Sequence, residues 1–289
     1  MTQPSIGIIT PSYPPDFERC RLLVESVQKH VSPQVTHFLV VKQKDAALFN
    51  TLRGPNVEVL IAEDILPWWL RKIPLVRNGW VSFRGALVRN WILQQIVKLS
   101  TARAVDRDVL AFFDSDVAFV RPFDIRQFVR GDRVRLFRVA DGNPLKAPES
   151  GPCDALDRGT CTALGVPLTH VNDNYEGQMI TWRRDRALQL HDHIAGVHGT
   201  DWVDALTRLP LFYEYFLYGV FVDHVLKTDS GHFHDDTSIC HAYWEEMPMS
   251  DAQLQQFFAG IQPSQAAIMI SSKAGIPAHR YRSLVDAVR

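Results

Sequence analysis

At 289 residues the chain suits one large domain or two small ones, and its 46% hydrophobic content supplies a sizeable core. With 31 Lys and Arg against 32 Asp and Glu, the net charge is −1, so no global field points to nucleic acid. The start, Met1 to Tyr13, lacks a charged region followed by a long apolar segment, and no run of about 18 apolar residues follows; a cytoplasmic protein without a transmembrane segment is expected.

The first apolar run, Ser5 to Thr10, is β-branched and stops at Pro11-Ser12-Tyr13-Pro14-Pro15, which predicts a strand ending in a loop. Helical spacing then takes over at Cys20, Leu23, Val24, Val27 and Val31, with Asp16 at the N-cap position. Strand signals return at Thr36 to Val41 and Val57 to Ala62, with a helix expected between them from Asp45 to Leu52. Such alternation predicts an α/β domain whose largely parallel sheet is covered by helices.

Residues Phe83 to Leu99 read as a helix; at about 100° per residue, Arg84, Val88, Trp91, Gln95 and Lys98 share one face. That mixed face can border a polar ligand, or it can be an amphipathic edge whose long side chains snorkel. Just before it, Leu66 to Lys72 joins two tryptophans to two cations, a composition able to touch a lipid-linked acceptor at the inner face of a membrane or to pack under a loop.

Val109 to Phe113 leads into Asp114-Ser115-Asp116, and Val117 to Val120 follows. The run has no helical period and reads as a strand buried on both faces that delivers two carboxylates to its end. Burying unpaired carboxylates is costly, and a divalent cation carrying a phosphorylated ligand offsets that cost. A solvated Asp-Ser-Asp turn is the alternative.

Beyond the pair, Arg133 to Val139 is strand-like, and Asp141 to Asn174, rich in Gly, Pro, Asp, Asn and Thr, predicts a long functional loop. Cys20, Cys153, Cys161 and Cys240 form no C-x-x-C pair, so reduced thiols are the default, with a Cys153–Cys161 pair as the alternative. Strand Gln178 to Trp182, helices Arg183 to Ile194, Asp201 to Leu209 and Phe212 to Leu226, strand Thr237 to Tyr243, helix Asp251 to Phe258, strand Ala267 to Ile270 and a closing helix complete the order. His191, His193 and His198 are expected in solvent, while His232, His234 and His241 cluster near Asp235 and Asp236.

The I-I-T-P-S-Y start, the helix bearing Gln95 and Lys98, and F-F-D-S-D in mid-chain give the sequence an order that resembles the GT-A fold nucleotide-sugar glycosyltransferases. It looks more closely similar to a bacterial family of predicted glycosyltransferases sharing F-Y-E-Y-F-L-Y-G at Glu214, C-H-A-Y-W at His241 and I-S-S-K at Lys273. The resemblance covers almost the whole chain. It implies a single GT-A-like, Rossmann-like domain over 1–289, a three-layer sandwich with a mostly parallel central sheet, with 1–140 as the nucleotide-sugar half and 141–289 as the acceptor half.

On that resemblance, Thr10, Pro11 and Tyr13 cradle the nucleotide, and Asp114 and Ser115 face the ribose or metal. Asp116, with Asp114 and His241, holds Mn²⁺ or Mg²⁺. Gln95 and Lys98 flank the donor, Lys273 neutralises a leaving phosphate, and Glu214 serves as the acceptor-side base. The partners implied are a nucleotide-sugar donor, UDP-linked by preference, and a glycan or glycolipid acceptor in polysaccharide or glycoconjugate synthesis. Two other functions fit the residues: a catalytically silent nucleotide- or sugar-binding protein, and a D-x-D phosphohydrolase using Asp114 as nucleophile.

Overall fold

A computed structural model describes residues 3–73, 79–84, 87–142, 153–167 and 172–288. Strands Ile6–Pro11, Thr36–Val41, Val57–Ile61 and Val109–Phe112 form a parallel sheet, with Val109–Phe112 and Thr36–Val41 flanking Ile6–Pro11. Strand Ile180–Arg183 closes one edge antiparallel to Val109–Phe112. The mixed α/β architecture and mostly parallel sheet match the sequence expectation.

Alternation sorts each strand's side chains to two faces. Ile9, Phe38, Leu110 and Phe112 pack with Ile92, Leu93 and Ile96 of helix Asn90–Ala104. Ile8 and Ala111, on the other face, pack with Leu23 and Val27 of helix Phe17–His30. Both faces of the strand pair that leads to Asp114 are therefore dry, which is why that run is apolar without a break.

The apolar residues on either side of the acidic pair belong to different sheets. Val109–Phe112 ends in the central sheet, whereas Val117–Phe119 pairs antiparallel with Ala267–Ile270, itself parallel to Cys240–Tyr243. Between them the chain turns, with Val117 N–H donating to Asp114 O at 3.1 Å. The metal and turn readings of Asp-Ser-Asp are thus compatible, since the turn is what presents both carboxylates.

Several expectations are corrected. The helix expected from Phe83 begins at Asn90, because Leu87–Val88 pairs instead with strand Trp80–Ser82. Arg84 and Val88 are therefore not on it, and residues 85–86 lie outside the described part. Helix Asp45 to Leu52 is broken into 3-10 turns around the single turn Ala46–Phe49. At the start of helix Phe17–His30, Asp16 caps no backbone amide and pairs with Arg19 at 3.1 Å.

The expected loop from Asp141 to Asn174 contains helix Cys153–Leu164, while residues 143–152 and 168–171 and the Cys153 side chain lie outside the described part. Gly159 disguises the helix in the sequence, yet packing requires it: a Cβ there would come within 1.7 Å of Leu211 O. His191, expected in solvent, is 1% exposed and stacks on Trp202 at 4.0 Å.

Candidate active site

In parallel sheets, ligands bind beyond the carboxyl ends of the strands, and the acidic pair lies there. Phe113 N–H donates to Ile9 O at 3.0 Å, which sets Asp114 beside the loop that follows Pro11. Thr10 holds this edge from within. Its hydroxyl donates to Phe113 O and accepts from His37 Nε2, both at 2.8 Å, so the neutral imidazole carries its proton on Nε2. Thr10 is fully buried, and its side chain ties strands together rather than facing a ligand.

Three carboxylates meet at this edge. Asp116 accepts a hydrogen bond from Ser272 N–H at 3.1 Å, yet burial and the neighbouring charges of Asp114 and Asp16 push its carboxyl up to about 7. Asp16 is raised too, by burial first and by Asp114, against the lowering effect of Arg19 and of a hydrogen bond with Ser115. Ser115 is itself buried and so serves Asp16. Tyr13, 46% exposed, overlooks the cluster; burial, Asp16 and Asp116 raise its phenol.

Lys98, from helix Asn90–Ala104, crosses to this edge. Its Nζ lies 3.4 Å from Asp114 Oδ1 and 2.9 Å from Glu214 Oε1, and donates to Tyr215 Oη at 2.9 Å. Burial pulls the lysine's pKa down, but Asp114, Glu214 and Tyr215 outweigh it and hold the ammonium well above the usual range. Glu214 has 0% exposure at the start of helix Glu214–Val220. Burial raises its carboxyl while Lys98 lowers it. At 2.9 Å the two groups form a close ion pair.

Gln95, also expected at the ligand, is 4% exposed, and its Oε1 accepts from Glu214 N–H at 3.2 Å. Gln95 and Glu214 thus form an inner layer behind Lys98. Lys273 stands on the turn whose Ser272 amide holds Asp116, but its ammonium points to Glu246 at 3.0 Å in solvent.

His241 is not brought to the pair. It alternates with Cys240, whose thiol is raised by burial and by Asp116, so the imidazole takes the opposite face of the strand. There its ring lies 4.4 Å from that of Phe257. No cluster of three or more His, Cys, Asp or Glu able to hold a metal ion occurs among the described residues. The carboxylates at this edge that a cation could use are Asp114 and Asp116, and burial and Asp114 leave Asp116 only partly ionised near neutrality. Such a set fits a divalent ion that completes its shell with phosphate oxygens and water rather than an all-protein cage.

One acid at the rim escapes sequence reasoning. Glu176 is half-buried and accepts a hydrogen bond from Tyr213 Oη at 2.7 Å. Burial raises its carboxyl, and it lies within electrostatic reach of Asp114 and Lys98. Its segment is pinned on both sides: Asp173 accepts from Arg138 Nε at 2.6 Å and Tyr175 Oη donates to Asp223 at 2.8 Å. Downstream, Met179 adopts φ +59°, a costly conformation for a long side chain that persists only where surroundings enforce it. A polar Asn-Tyr-Glu-Gly run between the end of the expected loop at Asn174 and the strand expected from Gln178 is the only signal the sequence offered.

Comparison with curated proteins finds no match to the chain. Among solved structures, the crystal structure of an active-site mutant of LgtC is similar with a TM-score of 0.49 and 12% identity, over 91% of this chain and 86% of that one. A family model described as a family of unknown function, DUF6492, matches residues 5–288, and the chain belongs to that family.

Proposed function

We propose that the protein is a glycosyltransferase that grips a nucleoside diphosphate sugar, UDP-linked by preference, through a divalent cation and passes the sugar to a hydroxyl of a glycan or glycolipid. The observation that carries this reading is the crowding of Asp114 and Asp116 at the carboxyl edge of the parallel sheet beside the buried cation of Lys98. Asp116 and Asp114 would hold Mn²⁺ or Mg²⁺. When bound, that ion offsets negative charge on the departing diphosphate.

Lys98 supplies a second, permanent positive charge at the same edge, and its high pKa keeps it protonated at every working pH. Glu214, sealed behind it, is a positioning group for Lys98 rather than an acceptor-side base. Glu176 stands at the rim with one oxygen held by Tyr213, so its carboxylate suits removal of the acceptor hydroxyl's proton.

A thermal-shift screen of nucleoside diphosphates and nucleotide sugars, with and without Mn²⁺, tests the reading, since a ligand that binds only the native state raises its apparent stability. A metal-dependent shift with UDP or UDP-sugars, followed by slow release of UDP from the sugar donor, is the expected outcome. Shifts without turnover would identify a silent binding protein, and phosphate release from a monoester would identify a hydrolase.

A further inference from the structure

From Ile65 to Val105 the sequence contains no Asp or Glu, but five Arg, two Lys and four of the chain's seven tryptophans. In a chain of net charge −1, this is a marked local excess of positive charge. Part of the stretch folds as a small antiparallel sheet of Leu70–Lys72, Trp80–Ser82 and Leu87–Val88. Its inner side buries Leu70, Trp80 and Ser82.

The outer rim is different. Trp68 and Phe83 are 70% and 67% exposed, the most exposed aromatic side chains among the described residues. Phe83 N–H donates to Trp69 O at 3.0 Å, so Phe83 sits beside the corner that carries Trp68. Arg71, Lys72 and Arg84 are exposed on the same sheet and its corner, whereas Arg89, at the opposite end, donates to Pro210 O at 3.4 Å. The Arg84 guanidinium lies 4.6 Å over the Trp69 ring, which fixes one cation at the corner. Of the nearby acids, Glu63 accepts from Gln43 N–H at 2.8 Å and Asp45 lies 3.8 Å from Lys44, while Asp64 is exposed.

We propose that this face docks the protein on the surface of an anionic lipid bilayer, Trp68 and Phe83 entering the headgroup boundary while Arg71, Lys72 and Arg84 pair with lipid phosphates. Aromatic tips ringed by cations suit that boundary, which is apolar on one side and negatively charged on the other. No helix among the described residues is long and apolar enough to cross a membrane, so the contact is peripheral. Helix Asn90–Ala104, which carries Lys98, begins directly after this sheet, so docking would bring the candidate active site close to lipid-borne acceptors. The docking stands on its own residues and does not depend on the transferase reading.

Co-sedimentation of the full chain tests it, using vesicles of phosphatidylglycerol and phosphatidylcholine in equal parts against vesicles of phosphatidylcholine alone. The native protein is expected on the anionic vesicles only and should be released by high salt. W68S/F83S and R71E/K72E should each weaken binding about tenfold or more while melting like the native protein. W244S, which changes a tryptophan 54% exposed on another part of the fold, should bind unchanged. Absence of binding to anionic vesicles, equal binding to both kinds, or full binding by both double variants would overturn the proposal. So would a preference for a single-stranded oligonucleotide over vesicles.

Discussion

Lys98 Nζ stands 2.9 Å from Glu214 Oε1, and the carboxylate it faces has no solvent exposure. Lys98 keeps Asp114 at 3.4 Å, but Glu214 has no other cation among the described residues, so removing Lys98 leaves a buried carboxylate uncompensated. Lys98→Met should therefore lower stability by about 3–5 kcal/mol, read as a fall in the urea midpoint. Adding Glu214→Leu should recover much of that loss, since no buried carboxylate is then left uncompensated. The recovered protein should still bind nucleoside diphosphates poorly, because the more exposed Asp114 has lost its cation. A double variant as unstable as Lys98→Met would disprove the coupling.

Asp116 offers a pH test. Its carboxyl titrates at about 7 in the fold against 3.8 ordinarily, so the native state holds a proton that the unfolded chain has lost between those values. The resulting stabilisation is complete below 3.8 and disappears as pH rises through 7. Cation binding has the opposite sign, because only the ionised group is a ligand. Mn²⁺ should thus raise the melting temperature more at about pH 8 than at about pH 6. Asp116→Asn should abolish that difference and, without metal, melt higher than the native protein at the alkaline end.

What the sequence disclosed follows from how locally each signal is determined. Thr36–Val41 and Ala267–Ile270 were legible to the residue because strands buried on both faces are mostly apolar, His37 being a polar exception that Thr10 satisfies. Leu87–Val88 was not, since two apolar residues before a helix suit either structure until Trp80–Ser82 supplies a pairing edge. The acidic pair was legible for the same reason as its strand. The roles of its neighbours were not. Whether Thr10 faces a ligand or the interior depends on His37, 27 positions away, and Gln95 is drawn inward by an amide 119 positions away.

The buried histidines make stability fall in acid. Burial lowers His37, His191 and His232 to about 3, whereas the unfolded chain takes up those protons near 6.5. Each depressed group contributes stability that is present above 6.5 and is lost as pH falls toward 3, at about 1.4 kcal/mol per pH unit. The raised carboxylates oppose this trend, so a difference between variants isolates it. His191→Phe preserves the stack on Trp202 and removes the titration. Relative to the native protein, it should gain about 2 kcal/mol on going from pH 7 to pH 5 in urea titrations. A constant gap between the two proteins would show that His191 does not titrate in this way.

Glu176 should separate chemistry from donor binding. Because Tyr213 holds one oxygen and no cation pairs with the carboxylate among the described residues, Glu176→Gln keeps the shape and hydrogen-bonding capacity while removing the base. Turnover of the sugar donor, with water or a hydroxyl as acceptor, should fall by about 10²–10⁴ while the metal-dependent thermal shift with UDP stays unchanged. A loss of both would make Glu176 part of the donor site. Its position rests on the pinned segment, and Gly219 tests that dependence: a Cβ there would come within 2.2 Å of the Tyr175 ring. Gly219→Ala must push Tyr175 off Asp223, so it should lower stability by roughly 1–3 kcal/mol through overpacking. It should also depress turnover more than Tyr175→Phe, which loses only the hydroxyl. Equal turnover in the two would mean that the ring, and with it the pinning of this segment, does not set where Glu176 stands.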